Sequence, residues 1–253
     1  MGKIIAIANQ KGGVGKTTTS VNLAASLAFK GKTVLLVDID PQGNASSGIG
    51  INRNTIVHSI YDCLINGVSA VEAIMPTAQD RLWCLPSNIA LAGAEIELVS
   101  MQPREFRLCD TLASVRDTYD FIIIDCPPSL GLITVNAFAC SDSVLIPIQC
   151  EYYALEGLTQ LTATIKQIKK NINPHLELEG VLATMYDGRT NLSIQVMDEL
   201  KKFFPDKLYS TVIPRNVRLS EAPSFGESII AYDITSKGAD AYIDLATEVI
   251  KNN

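Results

Sequence analysis

The sequence predicts an α/β protein, a single domain over residues 1–253, with a largely parallel twisted sheet and helices on both faces. Three observations predict it. Short apolar runs alternate with stretches of helical spacing along the whole chain, the signature of a parallel sheet. Two of these runs, Val34–Val37 and Phe121–Ile124, end on Asp38 and Asp125, where an open sheet places its ligand groups. The first run, Ile4–Ala8, leads through a glycine-rich turn into a helix-spaced segment. With 253 residues and 47% apolar composition, the chain can bury one sizeable core.

In order, the first helix follows the glycine turn, with Val21, Leu23, Ala24, Ala25, Leu27 and Ala28 on its inner side. The run 32–37 is a buried strand. Residues 46–54, rich in Ser, Gly and Asn, read as a mobile loop. Short helices are expected over 57–64 and 71–74, a strand over 81–86, and helices over 90–99 and 105–115. Pro103 stands near the start of the last of these, where proline is tolerated. This middle section offers room for a dimer surface. Strands follow over 119–125 and 143–147, a helix over 154–170 ending in Lys166, Lys169 and Lys170, and a strand over 178–185. A helix over 194–204, a last strand over 207–213 and a closing helix over 242–250 complete the chain.

The turn reads Asn9-Gln10-Lys11-Gly12-Gly13-Val14-Gly15-Lys16-Thr17-Thr18. Glycines there let backbone N–H groups point inward, and the following helix N-terminus adds partial positive charge, so a phosphate fits. Lys16 is placed to reach the terminal phosphates and the Thr17 hydroxyl to face a magnesium ion. Two features depart from the usual phosphate loop: Gln10 replaces its first glycine, and Lys11 is extra. Lys11 either faces solvent or serves a nucleotide across a subunit boundary, as an arginine finger does in trans. Asp40, at the tip of the second strand, is a candidate to position or activate the attacking water, and Asp38 to hold the metal's water shell. Capping a turn is the alternative for both. Asp125 is a candidate to hold magnesium through water.

Composition excludes several classes. No apolar run reaches the length of a membrane span, and the chain opens on a strand rather than a signal peptide. Six cysteines without a CxxC pair read as reduced cytosolic thiols, and His58 and His175 lack ligand spacing. The net charge of −6 is uneven: residues 160–218 carry nine Lys/Arg against six Asp/Glu, a local +3, leaving −9 elsewhere. That stretch is either a face that holds nucleic acid or solvated lysines on helix surfaces.

Four motifs together resemble the ParA/Soj family of partitioning ATPases, which are P-loop proteins with a deviant Walker A motif. They are Lys11–Thr18, Asp38-Ile-Asp40-Pro-Gln-Gly-Asn44, Ile124-Asp125-Cys-Pro-Pro-Ser129, and the stretch from Pro214 to Gly226 that includes Arg215, Asn216 and Arg218. The start at the first strand resembles the short, Soj-like form, without the N-terminal helix-turn-helix domain of longer members. The resemblance implies that residues 11–18 bind ATP or ADP and that Thr17, with Asp125 behind a water, serves Mg²⁺. It implies that Lys11 reaches the partner's nucleotide in an ATP-bound sandwich homodimer and that Asp40 supports hydrolysis. Pro214 and Asn216 are implied beside the adenine, and Arg189, Arg215 and Arg218 at non-specific double-stranded DNA. A ParB-type partner is implied to stimulate hydrolysis and release the DNA, in a cytoplasmic, nucleoid-associated cycle without a membrane.

The alternative is a MinD-like, membrane-associated division ATPase. That calls for a basic amphipathic C-terminal helix, whereas residues 240–253 carry three acids and one lysine. A cluster-carrying reductase-like ATPase has only Cys126 beside the metal aspartate to support it, without a paired cluster pattern. A ligase on the same scaffold needs a second substrate pocket that the sequence does not display.

Overall fold

Branched apolar side chains on consecutive positions form strands that tolerate burial on both faces. The computed structural model, which describes residues 1–151 and 154–253, places seven such strands in one sheet. They are β1 (Lys3–Ile7), β2 (Val34–Asp38), β3 (Met75–Pro76), β4 (Leu82–Leu85), β5 (Phe121–Asp125), β6 (Ser143–Gln149) and β7 (Glu177–Thr184). The order is β3-β4-β2-β5-β1-β6-β7, parallel except for the short edge strand β3. Every residue of β2 and β5 is buried.

The helices are α1 (Lys16–Phe29), α2 (Asn44–Gly48), α3 (Ala70–Ala73), α4 (Leu91–Val99), α5 (Arg107–Ala113), α6 (Leu132–Cys140), α7 (Ala154–Asn171), α8 (Asn191–Phe203), α9 (Val217–Glu221), α10 (Ile229–Tyr232) and α11 (Lys237–Asn252). They cover both faces. One core joins the sheet to Leu91, Leu108, Ile133, Leu161 and Val196 of α4 to α8. The other joins it to α1, α10 and α11. In α11 the side chains of Tyr242, Leu245, Ala246 and Val249 are all buried, each large one contributing roughly 1.5–3 kcal/mol. The Tyr242 hydroxyl meets Thr19 Oγ1 of α1 at 3.2 Å. The apolar face of the C-terminal helix is thus packed against the helix that follows the glycine loop. No helix among the described residues is long and apolar enough to cross a membrane.

Most expected elements appear within a few residues of their predicted ends, and four differ. Residues 207–213 are not a strand. Lys207 O, Tyr209 N and Ile213 N do bond along the outer edge of β7. Between those contacts, Glu248 of α11 takes the N–H groups of Ser210 and Thr211 at 2.9 and 3.1 Å, which pulls the ladder apart. Residues 46–54 are not a loose loop: Ser46 lies in α2, fully buried, with Asp38 accepting from both its N–H and its hydroxyl at 2.7 Å. The expected helix 57–64 begins only at Ile60 and widens into a π-helical segment at Asp62–Asn66. Pro103 precedes α5 by four residues rather than opening it.

Proline in a central strand normally argues against it, yet β6 runs through Pro147. Its neighbour β1 pairs only as far as Leu145 and then turns into the glycine loop, so Pro147 lies beyond the ladder on that side. Its carbonyl accepts instead from Asn9 Nδ2 at 2.7 Å. The proline therefore sits where the sheet gives way to the candidate site.

Candidate functional site

The parallel register brings the site together. Ile7, the last residue of β1, aligns with Asp125 of β5, and Asp38 of β2 aligns with Asp125 from the other side. The glycine loop therefore leaves the sheet next to two carboxylates at the same level. Gly13 and Gly15 adopt φ of +74° and +87°, a region that side-chain-bearing residues seldom enter. Gly15 is the residue from which α1 starts, so this turn points the helix N-terminus into the loop. Asn9 ties the loop's entrance, donating to Pro147 O and accepting from Lys11 N at 3.0 Å. Thr184, at the tip of β7, ties its crown: its hydroxyl donates to Val14 O at 2.8 Å, and its side chain covers Gly15.

Lys16 is 7% exposed and donates from Nζ to Lys11 O at 3.1 Å, so it lies folded along the inside of the loop. Burial lowers its pKa, against the opposing pull of Asp125, Cys126 and Asp40. Thr17 Oγ1 donates to Asp125 Oδ2 at 2.9 Å and Ser20 Oγ to Asp125 Oδ1 at 2.7 Å. Thr17 and Ser20 are three apart on α1 and share a face. Asp125 is fully buried, and burial followed by repulsion from Asp38 raises its pKa. Asp38 is raised too, by burial first and by repulsion from Asp40, against its hydrogen bonds from Ser46 and Asp40 N.

Asp38 accepts from Ser46 and from Asp40 N at 3.1 Å, so its visible role is to cap the turn that presents Asp40. Asp40 is half-buried, and one carboxylate oxygen accepts from Gln42 N at 2.9 Å. Arg53 donates to Gln42 O at 2.6 Å and braces the same turn. No group of three or more His, Cys, Asp or Glu among the described residues forms a metal cage. Magnesium needs none, because it keeps several waters and takes one or two protein ligands plus substrate phosphates. With the Thr17 proton directed to Asp125, its oxygen lone pairs are left for a cation, so the donor set fits.

Lys11 lies outside this buried cluster. It is about two-fifths exposed and reaches Glu151 at 3.5 Å. The structure likewise keeps the predicted arginines at the surface. Arg189 is 89% exposed and forms a forked pair with Asp187 at 2.7 and 2.9 Å. Arg218 pairs with Glu221 at 2.9 Å and Asp233 at 3.5 Å. Arg215 is tethered by its N–H to Tyr186 O, which sets it near Asp187 and Arg189. Asn216 caps α9 by accepting from Arg218 N at 2.8 Å, and Pro214 lies along an open groove beside α11. A cavity of about 300 Å³ opens beside Thr17 and Thr18, walled by Asn44, Ser47, Pro223 and Ser224. Neither Pro214 nor Asn216 lines it.

Sequence reasoning missed Ser20, Ser46, Thr184, Asn9 and Glu151. Spacing alone could have found Ser20, three residues after Thr17. Thr184 and Glu151 reach the loop from far along the chain, whereas Asn9 and Ser46 stand close by, two residues from Lys11 and eight from Asp38.

Known proteins resemble this chain in sequence and fold. The family described as AAA domain matches residues 2–178. The sporulation initiation inhibitor protein Soj of Bacillus subtilis (strain 168) is 61% identical over 252 residues, covering all of both chains. The chromosome partitioning protein ParA of Myxococcus xanthus is 54% identical over 253 residues, covering all of this chain and 89% of its own. Among solved structures, a Mycobacterium smegmatis protein named cobyrinic acid a,c-diamide synthase, with bound ADP and magnesium, superposes with a TM-score of 0.87 at 36% identity, over 99% of this chain and 95% of its own. Identity above one half along the whole chain, with the glycine loop and both strand-tip aspartates in place, makes this chain a member of the ParA/Soj family of chromosome-partitioning ATPases.

Proposed function

We propose that the protein is an ATP-driven switch for chromosome or plasmid segregation. One observation carries the reading: Thr17 and Ser20 converge on buried Asp125 beneath a loop whose lysine, Lys16, is already inside it. The loop amides and Lys16 bind the phosphates of ATP or ADP. Thr17, oriented by Asp125, and Asp125 itself through water would hold Mg²⁺, which would supply neutralising charge at the phosphates. Asp40, held half-exposed by Asp38 and Arg53, positions the attacking water. Pro214 and Asn216 approach the adenine.

Lys11 is the residue this chain leaves unfinished. Its pair with Glu151 is exposed, and such pairs are worth only about 0–1 kcal/mol. A second subunit's γ-phosphate competes for it readily, so ATP links two copies face to face. The dimer doubles the surface bearing Arg189, Arg215 and Arg218, and DNA affinity rises steeply because phosphate contacts act together. A ParB-type partner completes the site, hydrolysis removes the γ-phosphate and the DNA is released. The cycle runs in the cytoplasm on the nucleoid. The acidic exposed face of α11 and its buried apolar face weigh against the MinD-like membrane alternative. The identity to Soj and ParA outweighs the lower identity to the diamide synthase as a guide to activity.

A DNA shift assay with ATP, ADP or no nucleotide tests the switch. Retention is expected with Mg-ATP alone, and Asp40→Ala should prolong it. Equal affinity with ADP and ATP would overturn the proposal.

A further inference from the structure

The parallel sheet has a second end, remote from the glycine loop. There, at the starts of β1 and β6 and before β7, a cavity of about 400 Å³ is walled by Cys109, Arg116, Cys140, Asp142 and His175. Cys109 comes from the middle of α5 and Cys140 from the last turn of α6. The two helices pack together, and the two thiols are neighbours on the wall of that one cavity.

From this geometry we infer a redox modification site: Cys109 and Cys140 form a reversible disulfide when a peroxide enters the cavity. All six cysteines are free thiols in the structure.

The two sulfurs differ in a way that assigns their roles. Cys109 is half-buried, and its thiolate is favoured by the neighbouring Cys140 side chain and, more weakly, by the Arg116 charge, against burial and Asp110. Cys140 is 8% exposed, and burial keeps it protonated; its thiol also donates to Ala137 O at 3.3 Å. Partial exposure and thiolate character mark the peroxide-reactive sulfur. Cys109 attacks one peroxide oxygen, the O–O bond breaks, and with one proton taken up the products are a sulfenic acid and water. Cys140 sulfur then attacks the Cys109 sulfur. The S–O bond breaks, the hydroxyl leaves with the Cys140 proton as a second water, and the S–S bond forms. Two thiols lose two electrons and one peroxide gains them.

The bond would staple α5 to the far end of α6, the helix whose near end continues from the Asp125 loop. It lies at the opposite end of the strands from Lys16 and Thr17, so it acts independently of the proposed nucleotide cycle. The loop it closes is long enough that an upward shift in Tm of roughly 5 °C or more is expected.

The test treats purified, reduced protein with hydrogen peroxide near stoichiometry, then blocks free thiols and maps peptides without reduction. Expected is one cross-linked pair, Cys109 with Cys140, two hydrogens lighter, reversed by dithiothreitol, with the other four cysteines still alkylated. Cys109→Ser and Cys140→Ala should each abolish the pair and its Tm shift. Phenylarsine oxide, which bridges adjacent dithiols, should protect both residues from alkylation in the wild type without any substitution. Over-oxidation of Cys109 with Cys140 still free, cross-links between molecules, or failure of phenylarsine oxide to protect both thiols would each overturn the inference.

Discussion

The glycine-loop corner and the arginine-bearing edge are fastened in opposite ways. At the loop, the contacts are buried and join distant parts of the chain: Ser20 and Thr17 to Asp125, Thr184 to Val14, Asn9 to Pro147. At the edge, Arg189 is held by Asp187 two residues away and Arg218 by Glu221 three residues away, all at the surface. Buried hydrogen bonds to a charged group contribute about 1.5–3 kcal/mol each, whereas exposed ion pairs contribute about 0–1. The loop corner is therefore built by folding alone. The edge keeps its cations on short local tethers that a denser source of negative charge, such as a phosphate backbone, can displace.

The largest expected effect breaks the built corner. Lys16→Ala removes the lysine folded inside the loop, and with it the positive charge that Asp125 and Asp40 face. ATP binding should fall by roughly 100-fold or more, and ATP-dependent dimerisation and DNA binding should vanish with it. Titration with a fluorescent ATP analogue checks the first, sedimentation and a shift assay the others. Next, Asp40→Ala should leave ATP affinity within a few-fold but lower single-turnover hydrolysis by about 100-fold, since Asp40 is proposed to touch the water and not the phosphates. Loss of ATP binding instead would assign Asp40 to the binding pocket.

The edge should respond more weakly and differently. Arg218→Ala or Arg189→Ala should cost about tenfold in DNA affinity, uniformly across sequences, and reduce the salt slope by about one. ATP-dependent dimerisation should be unchanged. If neither replacement alters the salt slope, the basic face lies elsewhere on the surface.

The same contrast explains what could be read from the chain. The loop corner was legible because its parts are local: apolar runs that end in aspartate, glycines at fixed spacing, a lysine and a threonine in sequence. Much of what escaped depends on partners far along the chain. The segment 207–213 carries a strand-like pattern, but Glu248 of α11 captures two of its amides. α6 gave no signal because it is nearly all apolar; Ile133, Ala137, Phe138 and Cys140 are buried along with Thr134 and Asn136, so no polar face marks its period. Ser46 looked like loop material and became a buried partner of Asp38 through a strand-to-helix turn. The arginines were legible as charge, and their pairs with Asp187 and Glu221 are local, but the second partner of Arg218, Asp233, is brought to it only by the fold.

Lys11 belongs to neither pattern, and the smallest predicted effect sharpens its place. It rises from the built corner yet is held like an edge residue, by one exposed carboxylate of Glu151 that also faces Gln149. If that pair parks the lysine until a second subunit's phosphate arrives, Glu151→Gln removes only the restraint. Two such exposed pairs, one in each subunit and each worth about 0.5 kcal/mol, correspond to a roughly fivefold gain in ATP-dependent dimerisation, with ATP affinity of the monomer unchanged. Sedimentation equilibrium on the Asp40→Ala background, where hydrolysis is slow, reads that change directly. A loss of dimerisation in Glu151→Gln would show the opposite arrangement, in which Glu151 itself bonds across the subunit boundary.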